Sequence, residues 1–224
     1  MEEISFGELE KAFPFFEHLS EVEKKELAHA TTKKMYAKNY VLNTSEKNCI
    51  GLIYLSRGSL RTYMISPEGR DITLFRLQKG DVCVLSVSCV LDAISFDVFI
   101  ETEKECEVLL VSPAVTKKLS DKNIYVKEFG YEIAAERFSD FVWMMQQILF
   151  MKFDKRLAIF LLDEMREEKE NAISMTHEKI ASYVGSSREV VTRMLQYFQK
   201  EKMVKLSRGK ITIVDLPKLK KLAR

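Results

Sequence analysis

The chain has 224 residues, 46% hydrophobic and 30% charged, with a formal net charge of +2. That balance is ordinary for a globular protein and excludes a disordered or membrane-embedded chain. The most apolar stretch, Phe141–Phe150, contains Gln146 and Gln147 and is too short and too polar to span a bilayer.

The start, Met1-Glu2-Glu3, lacks the basic residues and apolar run of a secretory signal. A cytoplasmic location and no membrane partner are therefore expected. The four cysteines, Cys49, Cys83, Cys89 and Cys106, form no Cys-x-x-Cys pair, and the histidines are only His18, His29 and His177. Neither a disulfide framework, a metal site nor a cofactor is expected. Charge is unevenly placed. Residues 1–150 hold 18 Lys and Arg against 23 Asp and Glu, net −5, and residues 151–224 hold 17 against 10, net +7. A basic C-terminal part fits a polyanionic partner, or a solvated lysine-rich tail.

In chain order, the first forty residues predict short helices such as Glu21–Ala30. Residues 40–111 predict short strands at Ile50–Leu55, Leu60–Ile65, Ile72–Leu77 and Val108–Val111. Turn signals separate them, with Gly58, Gly69 and Gly80 spaced 11 apart. Strands punctuated at that interval argue for a β-sandwich or barrel.

Residues 121–150 contain no proline and predict one long helix. Tyr131, Ala134, Phe138, Phe141, Met145 and Ile148 follow the 3-4 spacing of a coiled-coil seam. Ile133, Val142, Met144 and Leu149 widen the stripe, so the helix can pack on its own domain, pair with a second copy, or both.

The remainder predicts helix, helix, turn, helix, hairpin. Lys155–Glu168 carries a helical apolar face. Thr176 is placed to N-cap a helix ending near Val184, and Gly185 to terminate it. Ser186 and Glu189 offer a capping box for a helix reaching about Lys200. Val204–Leu206 and Ile211–Val214 flank the basic tip Ser207-Arg208-Gly209-Lys210.

Two short helices joined at a glycine and followed by a basic hairpin make a winged helix-turn-helix. Its second helix fits the major groove of DNA. Ser187, Arg188, Glu189, Thr192 and Arg193 line its exposed first turns; Val190, Val191, Met194 and Leu195 face inward. Arginine donates two bonds to guanine and glutamate accepts from the cytosine amino group. A surface ion-pair cluster is the plainer reading of Arg188, Glu189 and Arg193 taken alone. Lys205, Arg208 and Lys210 suit phosphates.

At Thr176–Arg193 the sequence resembles the Crp/Fnr family, and the resemblance extends over nearly the whole chain. It implies an α+β fold with an N-terminal β-roll, a jelly roll like the cyclic-nucleotide-binding domain, over residues 1–120. A dimerisation helix follows over 121–150, and a winged helix-turn-helix over 151–224. It implies a homodimeric, sequence-specific regulator of transcription that binds double-stranded DNA. Arg188, Glu189 and Arg193 fall where the family reads bases, and Thr176 where it contacts phosphate. RNA polymerase is a candidate partner.

The resemblance stops at the effector. The cAMP-binding members open a cassette with Gly-Glu-Leu and clamp the phosphate with Arg-Ser or Arg-Thr. Here the opening is Gly80-Asp81-Val82, and the clamp position reads Ala93-Ile94-Ser95-Phe96-Asp97-Val98. No arginine lies between Arg76 and Arg137, so the bidentate charge that holds a phosphate is missing and Asp97 repels one. The signal is expected to be an unidentified effector other than cAMP. The N-terminal cysteine cluster of iron–sulfur members is also absent.

Cys83 and Cys89 are candidate redox or ligand sensors, or small apolar residues in a core. An alternative function is a small-molecule or redox receptor whose main task is effector binding. No nucleophile elbow or phosphate loop is present, and no histidine lies between His29 and His177. An enzyme is therefore not expected.

Overall fold

The computed structural model describes residues 4–44, 51–83, 98–168 and 170–224. Contacts divide the chain into two compact units. The first takes in the chain up to Met64 together with Leu74–Phe141, the second Ile65–Thr73 together with Val142–Arg224.

The first unit begins with α1 (Phe6–Ala12), a 3-10 turn (Pro14–His18) and α2 (Glu21–His29). Ser5 with Glu8 and Ser20 with Glu23 close capping boxes on the two helices, satisfying N–H groups that a helix start leaves bare. Eight strands follow: β1 (Thr31–Tyr36), β2 (Val41–Thr44), β3 (Leu52–Arg57), β4 (Ser59–Ile65), β5 (Asp71–Gln78), β6 (Val82–Cys83), β7 (Val98–Thr102) and β8 (Cys106–Val111). They form two four-stranded sheets of order β1-β8-β3-β6 and β2-β7-β4-β5.

Leu42, Leu60, Leu77 and Ile100 from one sheet meet Ile53, Leu55, Val108 and Leu110 from the other in the roll's core. The opposite face of the first sheet buries Leu52, Leu109 and Val111 against Phe13, Phe16 and Leu27 of the N-terminal helices. Both faces of β8 are thus covered, which explains its unbroken apolar run. Gly58, between β3 and β4, has φ +102°, and a Cβ there would lie 2.5 Å from Cys106 Sγ. Only glycine fits that turn.

The long helix differs from expectation at its start. The chain forms α3 (Pro113–Lys122), breaks at Asn123, and resumes as α4 (Ile124–Phe150). Asn123 is extended and its Oδ1 accepts from Tyr125 N at 3.0 Å. The side chain offers the backbone an alternative to continuing the helix, a competition that no proline or glycine announces. Among the described residues no helix is long and apolar enough to cross a membrane.

The second unit contains α5 (Phe153–Glu168), β9 (Ala172–Ile173), α6 (His177–Val184), α7 (Arg188–Lys200), β10 (Val204–Ser207), β11 (Lys210–Ile213) and α8 (Leu216–Leu222). Leu157, Leu161, Ile180, Val191, Leu195, Phe198 and Ile211 share its core. Two of these elements have no local periodic signal in the sequence. β9 adds a third strand beside β11, pairing Ile173 with Ile211. α8, capped by Asp215, buries Leu219.

Candidate nucleic-acid interface

The site is built on α6 and α7. Thr176 caps α6, its Oγ1 accepting from Lys179 N at 3.1 Å. Gly185 ends the helix in the left-handed conformation, at φ +59°. A Cβ there would meet Ile148 Cδ1 at 3.1 Å, so neither backbone nor space favours another residue. The cap of α7 is Ser187, not the expected Ser186. Ser186 N is committed to Ala181 O at 3.0 Å, closing the glycine turn. Ser187, in extended backbone, accepts from Val190 N at 3.4 Å.

This registers α7 so that Val191, Leu195 and Phe198 are buried while Arg188, Glu189 and Arg193 are exposed, with Thr192 half-buried beside them. The four lie at i, i+1, i+4 and i+5, one side of a helix. Gln196, four residues past Thr192, extends the exposed face. The same helical spacing that groups Arg188 with Thr192 places it there.

His177 supports this face although no local pattern marks it. Its Nδ1 lies 2.9 Å from Thr192 Oγ1, and that hydroxyl donates to Arg188 O at 2.8 Å. A hydroxyl has one proton, so Thr192 accepts from His177 and the ring hydrogen is on Nδ1. Burial, and then the charge of Arg188, hold the imidazole below its ordinary 6.5. The Glu189 carboxyl is held below the usual range by its own backbone N–H and by the Ser187 hydroxyl, so it is ionised at neutral pH.

The hairpin β10–β11 closes through the pair Ser207 and Lys210 around Arg208-Gly209, with Gly209 at φ +71°. Val204 and Ile211 face the core; Lys205, Arg208 and Lys210 are exposed. The unit therefore presents a helix with two arginines and a glutamate, and a hairpin with three cations. A helix of this kind fits a major groove, and lysines and arginines on a wing suit its flanking phosphates.

The expected helix seam is placed only in part on an open face. Tyr131, Phe138, Phe141 and Met145 are exposed. Ala134 packs against the first unit's core, and Ile148 is half-buried beside Gly185. The exposed apolar residues that keep the 4-3 spacing are Tyr131, Ala135, Phe138, Val142, Met145 and Leu149.

In the roll, Cys83 is 1% exposed and packs in the core. Cys49, Cys89 and the segment Ala93–Asp97 lie outside the described residues. Arg76 is engaged by Glu103 at 3.1 Å, and Arg137 by Asp140 at 2.7 Å.

Residues 155–222 match the Crp-like helix-turn-helix domain. Over 95% of its length the chain is similar to the crystal structure of a transcriptional regulator assigned to the Crp/Fnr family from Eubacterium rectale. Identity is 42%, coverage of that chain 99% and the TM-score 0.92. It is 26% identical over 175 residues to the transcriptional regulatory protein btr of Bordetella pertussis, covering 74% of this chain and 70% of that protein. It is 23% identical to Vfr of Pseudomonas aeruginosa, a cAMP-activated global transcriptional regulator, covering 90% of this chain and 95% of Vfr.

Proposed function

Because the chain belongs to the Crp/Fnr family of DNA-binding transcriptional regulators, we propose that it works as a homodimer reading a palindromic DNA site through α7, in answer to a signal other than cAMP. It is a regulator and not an enzyme. We assign it to the cytoplasm, where a bacterial regulator meets its DNA. We assign sensing to the roll, pairing to α4, and DNA reading to the α6–α7 motif with its wing; RNA polymerase remains a candidate partner.

The observation that carries the reading is the face formed by Arg188, Glu189, Thr192 and Arg193 beside the basic hairpin. Arg188 opens α7 and reaches a guanine. Glu189 is an anion that phosphate repels, so a cytosine amino group best accounts for it. Arg193 reads the adjoining pair or buttresses Glu189. Thr176, Lys205, Arg208 and Lys210 hold phosphates and position the helix without specifying sequence, while Ser187 and Thr192 line the same contact face with their hydroxyl protons committed to Glu189 and to Arg188 O. Fluorescence anisotropy on duplexes tests this. An inverted repeat of TGTGA-like half-sites should bind at least about a thousandfold more tightly than a scrambled duplex; equal binding would refute the reading.

The seam on α4 is assigned to Tyr131, Ala135, Phe138, Val142, Met145 and Leu149, since these are open to a second copy while Ala134 and Ile148 serve their own chain.

cAMP should leave operator affinity unchanged. The reason is the absence of arginine between Arg76 and Arg137, which leaves a cyclic phosphate without its bidentate partner. Calorimetry that registered saturable cAMP binding would overturn it. The burial of Cys83 supports a packing role for that thiol.

Operator binding should strengthen as pH falls. His177 stands at the start of α6 beside Thr176, where a helix N-terminus favours phosphate. Its pKa is depressed in the free protein, so the unfolded chain takes up the proton more readily. The group therefore lowers fold stability as pH drops below its ordinary 6.5. DNA acts in the opposite sense, because phosphates favour the imidazolium and binding draws a proton onto Nε2. Between pH of about 7.5 and 6, affinity should rise by at most about tenfold per unit for each proton taken up. His177→Asn should flatten that slope, and an unchanged slope in the variant would exclude His177 as its source.

A further inference from the structure

The second unit holds a half-open cavity of ≈160 Å³ beneath the helix-turn-helix. Met144, Gln147 and Ile148 of α4, Arg156 and Ile159 of α5, and the C-terminal turn of α6 line it. Gln147 precedes Leu149 by two residues, about 200° round the helix. The cavity therefore lies behind α4 with respect to the seam, and a second copy paired there leaves it empty.

Its lining is divided between apolar side chains and the polar Gln147, Arg156, Asp163 and Tyr183. Tyr183 stacks on Phe160 with ring centroids 5.4 Å apart and makes one wall. Into this setting the chain puts a guanidinium. Arg156 Nε and Nη1 are shut off from solvent and have no hydrogen-bond acceptor among the described residues. The group rests 5.5 Å from the centroid of the Phe153 ring, and burial alone pulls its pKa down, with no carboxylate opposing the shift. Asp163, also on the lining, is exposed, and its Oδ1 accepts from Arg166 Nη1 at 3.2 Å.

Buried N–H groups without acceptors destabilise the fold, and more so on a charged group. An anionic oxygen removes that cost and balances the charge. The isoleucines, methionine and aromatic rings require an apolar body behind the anion. A cavity of roughly 150 Å³ holds a benzene ring.

We propose that this cavity binds a small carboxylate with an apolar body, an aromatic or branched-chain acid, with its carboxylate on Arg156 and its body among Ile148, Ile159 and Phe160. The regulator then has a ligand site outside the roll, against the helix that supports α7. The assignment does not depend on the DNA reading, because its test reads binding directly.

The full-length protein, labelled at isoleucine δ1 methyls, is titrated with benzoate, with isovalerate, and with benzamide as the neutral counterpart of benzoate. Benzoate should shift the Ile148 and Ile159 methyls saturably, at about one-tenth or less of the benzamide concentration needed, while Ile211 stays fixed. Isovalerate should act on the same methyls if the site takes branched acids; a response to benzoate alone restricts it to aromatic ones. Arg156→Met should erase the preference for benzoate over benzamide. Ile159→Phe, which fills the space with Arg156 in place, should abolish binding, and it decides the matter should Arg156→Met not fold. The proposal fails if neither acid shifts these methyls at millimolar concentration. It also fails if benzamide matches benzoate, or if the preference survives in Arg156→Met.

Discussion

Arg188→Ala is expected to cost about 1–3 kcal/mol of operator affinity and to relax preference at one base pair of each half-site. Arg208→Ala is expected to weaken all sequences alike and to lower the salt slope by about one unit. The contrast follows from where the residues sit. Arg188 is exposed on the first turn of α7, beside Glu189 and one helical turn from Thr192 and Arg193, on the face that enters a groove. Its guanidinium fork matches guanine O6 and N7, so removing it loses a contact that only one base pair can make. Arg208 is at the tip of a two-residue hairpin turn, where a cation meets the backbone, which is the same for every sequence. A randomised half-site library, bound by wild type and both variants, separates the two. An Arg188→Ala variant that kept its sequence preference, beside an Arg208→Ala variant that lost it, would move base reading from α7 to the wing.

Phe138→Ala is expected to weaken the dimer by about 3 kcal/mol, roughly a hundredfold in dissociation constant, because a two-fold interface repeats every substitution. Phe138 is 68% exposed in the single chain, within a long apolar stripe of the kind that marks an interaction surface. Operator affinity should fall with it, since each half-site is then read alone. The register is tested further along α4. Leu149→Ala should weaken pairing and leave the fold intact. Ile148→Ala, beside Gly185, should lower the stability of the chain by about 1–2 kcal/mol and leave pairing intact. Sedimentation equilibrium with thermal unfolding measures both quantities. A wild-type chain that stayed monomeric at micromolar concentration would remove the interface altogether.

Much of this architecture is legible in the sequence because backbone chemistry dictates it. Gly58 and Gly185 sit where φ is positive, and glycine is the residue that takes such angles at little cost. Thr176 followed by an apolar period marks α6. Other features escape for physical reasons. Ser186 and Ser187 are chemically equal candidates for the α7 cap, and only the bond from Ser186 N to Ala181 O decides between them. The seam is ambiguous in the same way. Ala134 and Ala135, Phe141 and Val142, and Ile148 and Leu149 are adjacent apolar pairs, so periodicity supports either register until packing claims Ala134 and Ile148. β9 has two residues, too few for any period, and α8 is a single short helix that opens with a proline inside a lysine-rich run. The roles of His177 and Arg156 depend on neighbours distant in sequence, which no local pattern reveals.

Two copies are expected to place α7 in successive major grooves. Footprinting of the full-length protein on a selected operator tests it most directly. Two protected blocks centred roughly 34 Å apart on one face of the duplex, with methylation interference at guanines inside each, is the expected result. A single block, or two blocks on opposite faces of the helix, would contradict it.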